Sequence, residues 1–106
     1  LHRLVAAAGP LPVGRACDLF RQIADALAEA HKHGLVHRDI KPSNVLLGPT
    51  AHPYLLDFNL ASRAADPWRL VGSLPYMAPE QLAPLAAGAA PPDDARPGDV
   101  FACGVV

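Results

Sequence analysis

The sequence is poor in cysteine and in aromatic residues, and neither charge is in clear excess. Its two cysteines, Cys17 and Cys103, form no Cys-x-x-Cys pair and have no histidine at zinc-binding spacing. This pattern excludes a cysteine-rich metal site and predicts two buried thiols in a reducing compartment. We therefore expect a cytoplasmic protein.

The net charge is small, and the hydrophobic runs are short. Nine Lys and Arg stand against ten Asp and Glu, a net charge of −1 that gives no reason to expect nucleic acid or an acidic membrane as main partner. The uncharged apolar runs are too short to span a bilayer. Much of the 51% hydrophobic content is alanine, which buries little area, so the chain alone could build only a thin core.

Proline and glycine, in contrast, are abundant. Twelve Pro and eight Gly among 106 residues predict short elements separated by structured loops. The length suits one small domain or a piece of a larger one. Because Leu1 is not an initiator methionine and the chain stops inside the apolar run 101–106, we interpret the sequence as an internal fragment.

The first third of the chain has a helical pattern. Residues 1–14 predict a short apolar helix followed by a turn, and residues 15–33 predict an amphipathic helix. The apolar stripe of the second helix consists of Leu19, Phe20, Ile23, Leu27 and Ala30. Gly34 stands where a left-handed residue would end that helix.

Two apolar runs, residues 45–47 and 54–56, predict a β-hairpin around a Gly/Pro-rich turn. If Leu47 pairs with Tyr54, the antiparallel register places Asn44 opposite Asp57. Two oxygen-bearing side chains would then converge, which suits a hard divalent cation, although a slip of one residue would break the inference.

The remaining chain shows weaker patterns. Residues 58–80 read as irregular, and residues 84–98 are low in complexity and predict a loop. A helix is expected to begin near Asp99.

Residues 37–44, with the sequence HRDIKPSN, form the most specific motif. Six of the eight positions match the H-R-D-x-K-P-x-N catalytic loop of protein kinases, which the segment resembles. Asp-Phe at 57–58, the Ala-Pro-Glu segment at 72–80 and the helix start at 99–104 resemble later motifs of that family, in the family's order. The resemblance covers essentially the whole chain.

This resemblance implies an α+β, protein-kinase-like fold, with residues 1–106 forming one partial domain. It would run from the helix after the hinge, through the catalytic loop, magnesium-binding hairpin and activation segment, to the start of the large lobe's anchoring helix. The sequence contains no Gly-rich loop and no Val-Ala-Ile-Lys-like lysine, so we expect the N-terminal lobe to be absent from this chain. We expect the isolated chain to be inactive, because nothing covers ATP.

The resemblance also implies a protein serine/threonine kinase that transfers the terminal phosphoryl group of ATP to a Ser or Thr hydroxyl of a protein substrate. Asp39 would be catalytic and accept the hydroxyl proton. Lys41 would be catalytic and contact the transferred phosphate of ATP, and the following Pro42 is typical of members acting on Ser and Thr. Asn44 and Asp57 would hold the Mg²⁺ that bridges the ATP phosphates.

Three neighbouring residues would have supporting roles in such a kinase. His37 would pack at the base of the loop and would not carry protons. Arg38 would pair with an activation-loop phosphate in relatives. Glu80 would pair with an arginine of a later helix, beyond Val106.

Three alternatives stay open at this point. The parent protein could be a kinase-like binding module without catalysis, although Asp39, Asn44 and Asp57 are all present. It could phosphorylate small molecules, although Lys41-Pro42 and the Ala-Pro-Glu segment are unexpected there. It could also be a nonfunctional remnant.

Two departures from the family concern regulation. Asn59 replaces the glycine that normally follows Asp-Phe, and asparagine tolerates left-handed backbone better than most residues. Between Asp57 and Glu80 the hydroxyl-bearing residues are Ser62, Ser73 and Tyr76, with no threonine. Ser73 matches a position that shapes the substrate pocket.

We therefore predict that phosphorylation of this segment is not the main activity switch. Mass spectrometry of the active, full-length protein, together with activity after phosphate removal, tests this prediction. A stoichiometric phosphate at Ser62 whose removal abolishes activity would overturn the prediction.

Overall fold

The computed structural model describes residues 1–58, 62–63, 73–89 and 94–106. Its helices are α1 (His2–Ala8), α2 (Val13–Lys32), α3 (Pro79–Ala87) and α4 (Arg96–Val105). Its strands are β1 (Leu35–Val36), β2 (Val45–Leu47), β3 (Pro53–Leu55) and β4 (Ser62–Arg63), and 3-10 turns lie at Pro42–Asn44 and Leu74–Tyr76. The mixture confirms the α+β prediction. None of the described helices combines the length and apolar character that crossing a membrane requires.

Helix α2 supplies the core of the fold, as its periodicity predicts. Its buried residues Leu19, Ile23 and Leu27 recur every four residues, so they lie on one face. That face packs with Ile40 and Val45 of the following segment and with Ala102 of α4. Helix α2 thereby contacts α4, β1 and β3, and the loop between β1 and β2 is held against it.

The end of α2 also agrees with the sequence. Gly34 has a φ of 73°, the left-handed conformation that glycine adopts without steric cost. Lys32 and His33 both bind the exposed carboxylate of Glu29, at 3.0 Å and 3.2 Å. The chain then turns directly into β1.

The hairpin is present, but its predicted register is wrong by one residue. Strands β2 and β3 pair Val45 with Leu55 and Leu47 with Pro53, so Asn44 lies opposite Leu56 and not opposite Asp57. The cause is the turn. The amide of Gly48 donates to the carbonyl of His52 at 2.9 Å, which closes a five-residue loop and brings Pro53 into the strand.

The second half of the chain corrects three further expectations. The predicted loop at 84–98 is wrong for residues 84–87, which belong to α3 despite Pro84 inside the helix, and Gly88 ends it at a φ of 60°. Helix α4 begins at Arg96, three residues before the expected start, with Pro97 in its first turn, where the missing N–H costs nothing. Strand β4 pairs with β1, within a segment expected to be irregular. Asn59 lies outside the described residues.

The prediction of two buried thiols is wrong for Cys17. Both cysteines are free, but Cys17 is exposed because it lies on the side of α2 away from Leu19 and Ile23. Cys103 is half-buried, and burial together with the nearby Asp99 carboxylate raises the pKa of its thiol.

The packing of α2 yields a stability prediction for the intact protein. Ile23 is 2% exposed, and Ile23→Ala should destabilise the fold by about 2–5 kcal/mol because it leaves a cavity in the core. Thermal or denaturant unfolding measures the effect. Val13→Ala, in the same helix at a residue 79% exposed, should stay within about 0.5 kcal/mol of wild type. Equal losses for both variants would contradict the assignment of the core face.

Candidate active site

The loop between β1 and β2 is fixed at its start by a buried carboxylate from α4. Asp99, 1% exposed, accepts hydrogen bonds from the backbone amides of His37 at 2.8 Å and Arg38 at 2.7 Å. The Nε2 atom of His31, in α2, lies 2.9 Å from the same carboxylate. One side chain thus joins α2, α4 and the loop.

This anchoring supports an unusual backbone conformation at Arg38. Its φ is 67°, a left-handed value that costs free energy for a non-glycine residue unless its surroundings enforce it. The charge-assisted bond from its amide to Asp99 provides that enforcement. The Arg38 side chain is 8% exposed, and its buried Nε has no hydrogen-bond partner in the described part of the chain.

His37 is fully buried beneath the loop, in the packing position expected for it. Its Nε2 lies 2.9 Å from the carbonyl oxygen of Leu56, and its Nδ1 lies 3.3 Å from the amide of Asp39. A carbonyl only accepts and an amide only donates, so these two contacts fix the orientation of the ring. The ring of Phe58 packs edge-on against it at a centroid distance of 4.8 Å.

Asp39, Lys41 and Ser73 form a closed ring of polar contacts. The Nζ of Lys41 lies 2.6 Å from Oδ2 of Asp39 and donates to Oγ of Ser73 at 3.0 Å. The Ser73 hydroxyl donates to Oδ1 of Asp39 at 3.1 Å. Both oxygens of the carboxylate are therefore oriented by donors, and the hydroxyl comes from a residue 34 positions along the chain.

Asn44 binds the same carboxylate, at the oxygen that Lys41 also contacts. Its Nδ2 donates to the carbonyl of Asp39 at 2.9 Å and to Oδ2 of Asp39 at 3.2 Å. The 3-10 turn at Pro42–Asn44 places it there, and the side chain is 5% exposed. The structure thus brings Asp39, Lys41 and Asn44 together.

Asp57 lies close to this group along the backbone, although the predicted cross-strand pairing with Asn44 is wrong. The amide of Leu56 donates to the carbonyl of Asn44 at 2.9 Å, and Asp57 follows at once with a φ of 61°. Its carboxylate is exposed. The left-handed residue changes the direction of the chain where β3 ends.

The oxygen atoms of Asn44 and Asp57 fit a magnesium ion that is held mainly by a bound phosphate. The described residues contain no cluster of three or more His, Cys, Asp or Glu that could hold a metal alone. Asn44, whose amide nitrogen is committed to Asp39, and Asp57 offer oxygen donors. Mg²⁺ prefers oxygen and commonly takes one or two protein ligands beside phosphate and water.

The contacts around Asp39 also set its protonation state. Burial alone would raise the pKa of its carboxyl, but the hydrogen bonds from Lys41 and Ser73, the Lys41 charge and the Asn44 bond together lower the pKa below its ordinary value. Asp39 is therefore ionised at neutral pH, and its carboxylate is able to accept a proton.

Two residues of this site were missed by sequence reasoning. His31 carried no sequence signal, because a histidine in the last turn of a helix reads as a dipole partner. Asp99 was assigned only to a helix start, although its place within the 99–104 motif was the available signal. Ser73 was assigned to the substrate pocket, but its bond to Asp39 was not predicted.

Comparison with known proteins identifies relatives along the chain. Residues 1–106 match the protein kinase domain family. Serine/threonine-protein kinase PknD of Mycobacterium tuberculosis is 44% identical over 87 residues, which cover 77% of this chain and 13% of that protein. Serine/threonine-protein kinase PkaA of Streptomyces coelicolor is 48% identical over 88 residues, covering 76% of this chain and 16% of that protein. The chain thus spans a small part of the length of these relatives.

The ring around Asp39 leads to a prediction on pH. The pKa of the Asp39 carboxyl is lower in the folded protein than its ordinary value of 3.8. The ionised carboxylate therefore stabilises the fold fully above pH 3.8, and this stabilisation is lost as the pH falls through the pKa of the folded state. Lys41→Met should raise the pKa of Asp39, because it removes both a hydrogen bond and a positive charge that lower this pKa.

A carboxyl-carbon NMR titration of the intact protein, assigned by Asp39→Asn, measures this pKa. Lys32→Met removes an exposed lysine that pairs with Glu29 and should leave the pKa of Asp39 unchanged. An unchanged pKa in Lys41→Met would show that Lys41 does not stabilise the ionised carboxyl.

Proposed function

The chain belongs to the protein kinase family, and we propose that the protein containing it transfers the terminal phosphoryl group of ATP to Ser and Thr hydroxyls of protein substrates. The observation that carries this proposal is the Asp39 carboxylate, both oxygens of which are held by Lys41, Asn44 and Ser73. Phosphoryl transfer depends on positioning and on electrostatic stabilisation more than on covalent chemistry by the protein.

Asp39 is the residue that orients the acceptor. As the acceptor oxygen bonds to the terminal phosphorus and ADP leaves, the hydroxyl proton passes to the Asp39 carboxylate. The low pKa of Asp39 keeps the carboxylate free of protons beforehand. The donors around it also restrict its rotation, so that little reorganisation is needed during transfer.

Lys41 supplies the cationic contact to the transferred phosphate. In the structure its ammonium group lies between Asp39 and Ser73, with a side chain 28% exposed, so it is accessible to a ligand from one side. A compact point charge suits a phosphoryl group that carries charge on several oxygens. The following Pro42, and the names of the relatives, support Ser and Thr as the acceptors.

ATP and Mg²⁺ complete the proposed site. Asn44 and Asp57 would hold the metal, which neutralises charge on the ATP phosphates. Lys41 would bind the terminal phosphate on the side of the acceptor. The protein substrate would approach past Ser73, since that hydroxyl adjoins the carboxylate that receives the proton.

The decisive experiment uses the full-length protein with ATP, Mg²⁺ and a library of Ser, Thr and Tyr peptides. Asp39→Asn should lower kcat by about 10²- to 10⁴-fold, because the proton acceptor is lost while the side-chain volume is kept. Asp18→Asn, an exposed aspartate on α2, should retain wild-type activity.

Three results would contradict the proposal. Binding of ATP by the wild-type protein without any transfer would favour a kinase-like binding module. Transfer to small alcohols but not to peptides would indicate a small-molecule kinase. Equal activity of Asp39→Asn and wild type would remove Asp39 from the reaction.

A further inference from the structure

A second buried contact, between α3 and α4, lies beside the acceptor side of the site. Gln81 in α3 is 6% exposed, and its Oε1 accepts the backbone amide of Ala78 at 2.9 Å. The amide of Gln81 in turn donates to the carbonyl of Ala78 at 2.9 Å. Both polar backbone groups of Ala78, which is fully buried, are thus bound by this one residue.

The carboxamide of Gln81 occupies space that only a glycine leaves open. A Cβ atom at Gly98, in the first turn of α4, would lie 2.7 Å from Cδ, Oε1 and Nε2 of Gln81. The φ of Gly98 is not in the left-handed region, so the backbone itself would accept alanine. Glycine is also less stable than alanine in a helix, so α4 gives up some stability for this close approach.

The contact connects to the reacting groups through a short, bonded stretch of chain. Ala78 follows the 3-10 turn at Leu74–Tyr76, in which the amide of Tyr76 donates to the carbonyl of Ser73 at 2.9 Å. Ser73 then binds Asp39 and Lys41. Residues 73–78 are therefore held at one end by Asp39 and Lys41, and at the other end by Gln81.

We propose that Gly98 and Gln81 are positioning residues that set residues 73–78 for the protein acceptor, with Gly98 acting only through the carboxamide of Gln81. This inference rests on the proposed kinase function for its consequence in catalysis. A side chain at residue 98 would displace the buried carboxamide, and the displacement would break the bond to Ala78. The segment beside Asp39 would then lose its hydrogen bond at Ala78.

The test is a double-mutant cycle in the full-length protein, built from Gly98→Ala, Gln81→Ala and the combined variant. Each single variant should raise the KM for a Ser/Thr peptide by about fivefold, the loss expected for one net hydrogen bond. The KM for ATP should change by less than about twofold, since the ATP-binding residues are untouched. Gly98→Ala should add nothing in the Gln81→Ala background.

A second readout does not depend on kinase activity. Hydrogen–deuterium exchange at the Ala78 amide should be about fivefold faster or more in both single variants, with α2 unchanged. Gly14→Ala is the matched control, because Gly14 lies in the first turn of α2 and a Cβ there meets nothing within 4 Å. If Gln81→Ala folds poorly, Gln81→Met replaces it in this experiment. Methionine keeps the side-chain volume but lacks the acceptor oxygen, so it should give the same faster exchange at Ala78.

The outcomes separate this proposal from the proposed function. Absence of phosphoryl transfer in the wild type would refute the kinase function, and the exchange data would still decide whether Gly98 acts through Gln81. Additive effects of the two substitutions would overturn the proposal. Faster exchange throughout the chain, in place of a local change at Ala78, would also overturn it, because the contact would then only stabilise the fold.

Discussion

The buried carboxylate of Asp99 is the interaction on which the rest of the site depends. It is almost completely buried, it accepts hydrogen bonds from two backbone amides of the loop between β1 and β2, and it contacts the ring of His31. Burying a carboxylate that has no hydrogen-bond partners would cost much free energy. Asp99 can therefore be buried only because it makes these three contacts. The hydrogen bonds to Asp99 stabilise the left-handed backbone of Arg38. This backbone conformation sets the direction of the Asp39 side chain.

Around Asp39 the same principle operates nearer the surface. Lys41, Asn44 and Ser73 lower the pKa of the Asp39 carboxyl against the effect of burial, which keeps it ionised and orients it. The groups come from one loop and from a segment more than thirty residues later, so the geometry exists only when the two are packed together. Gln81 extends this dependence, because it binds Ala78 at the far end of the segment that carries Ser73, and Gly98 leaves room for its carboxamide.

Some features of the fold could be predicted from the sequence, and others could not. The face of α2 that carries Ile23 and the left-handed Gly34 followed from local rules of periodicity and capping. The hairpin was predicted, but its register was not, since the five-residue turn closed by Gly48 and His52 moved Pro53 into the strand. The alanine- and proline-rich sequence of α3 has too little helical periodicity to predict a helix.

The sequence by itself determined the family and the identity of the chemical groups. The spacing within residues 37–44 and the order of the later motifs specify them without reference to any contact. Only the tertiary structure decided which of those groups meet. The bonds of Ser73 to Asp39, of Asp99 to the loop amides, and of Gln81 to Ala78 beneath Gly98 depend on how separate elements pack. Local sequence patterns predict the conformation of each element. Side-chain contacts between distant elements form only when the whole chain buries its apolar faces together, so local patterns do not predict them.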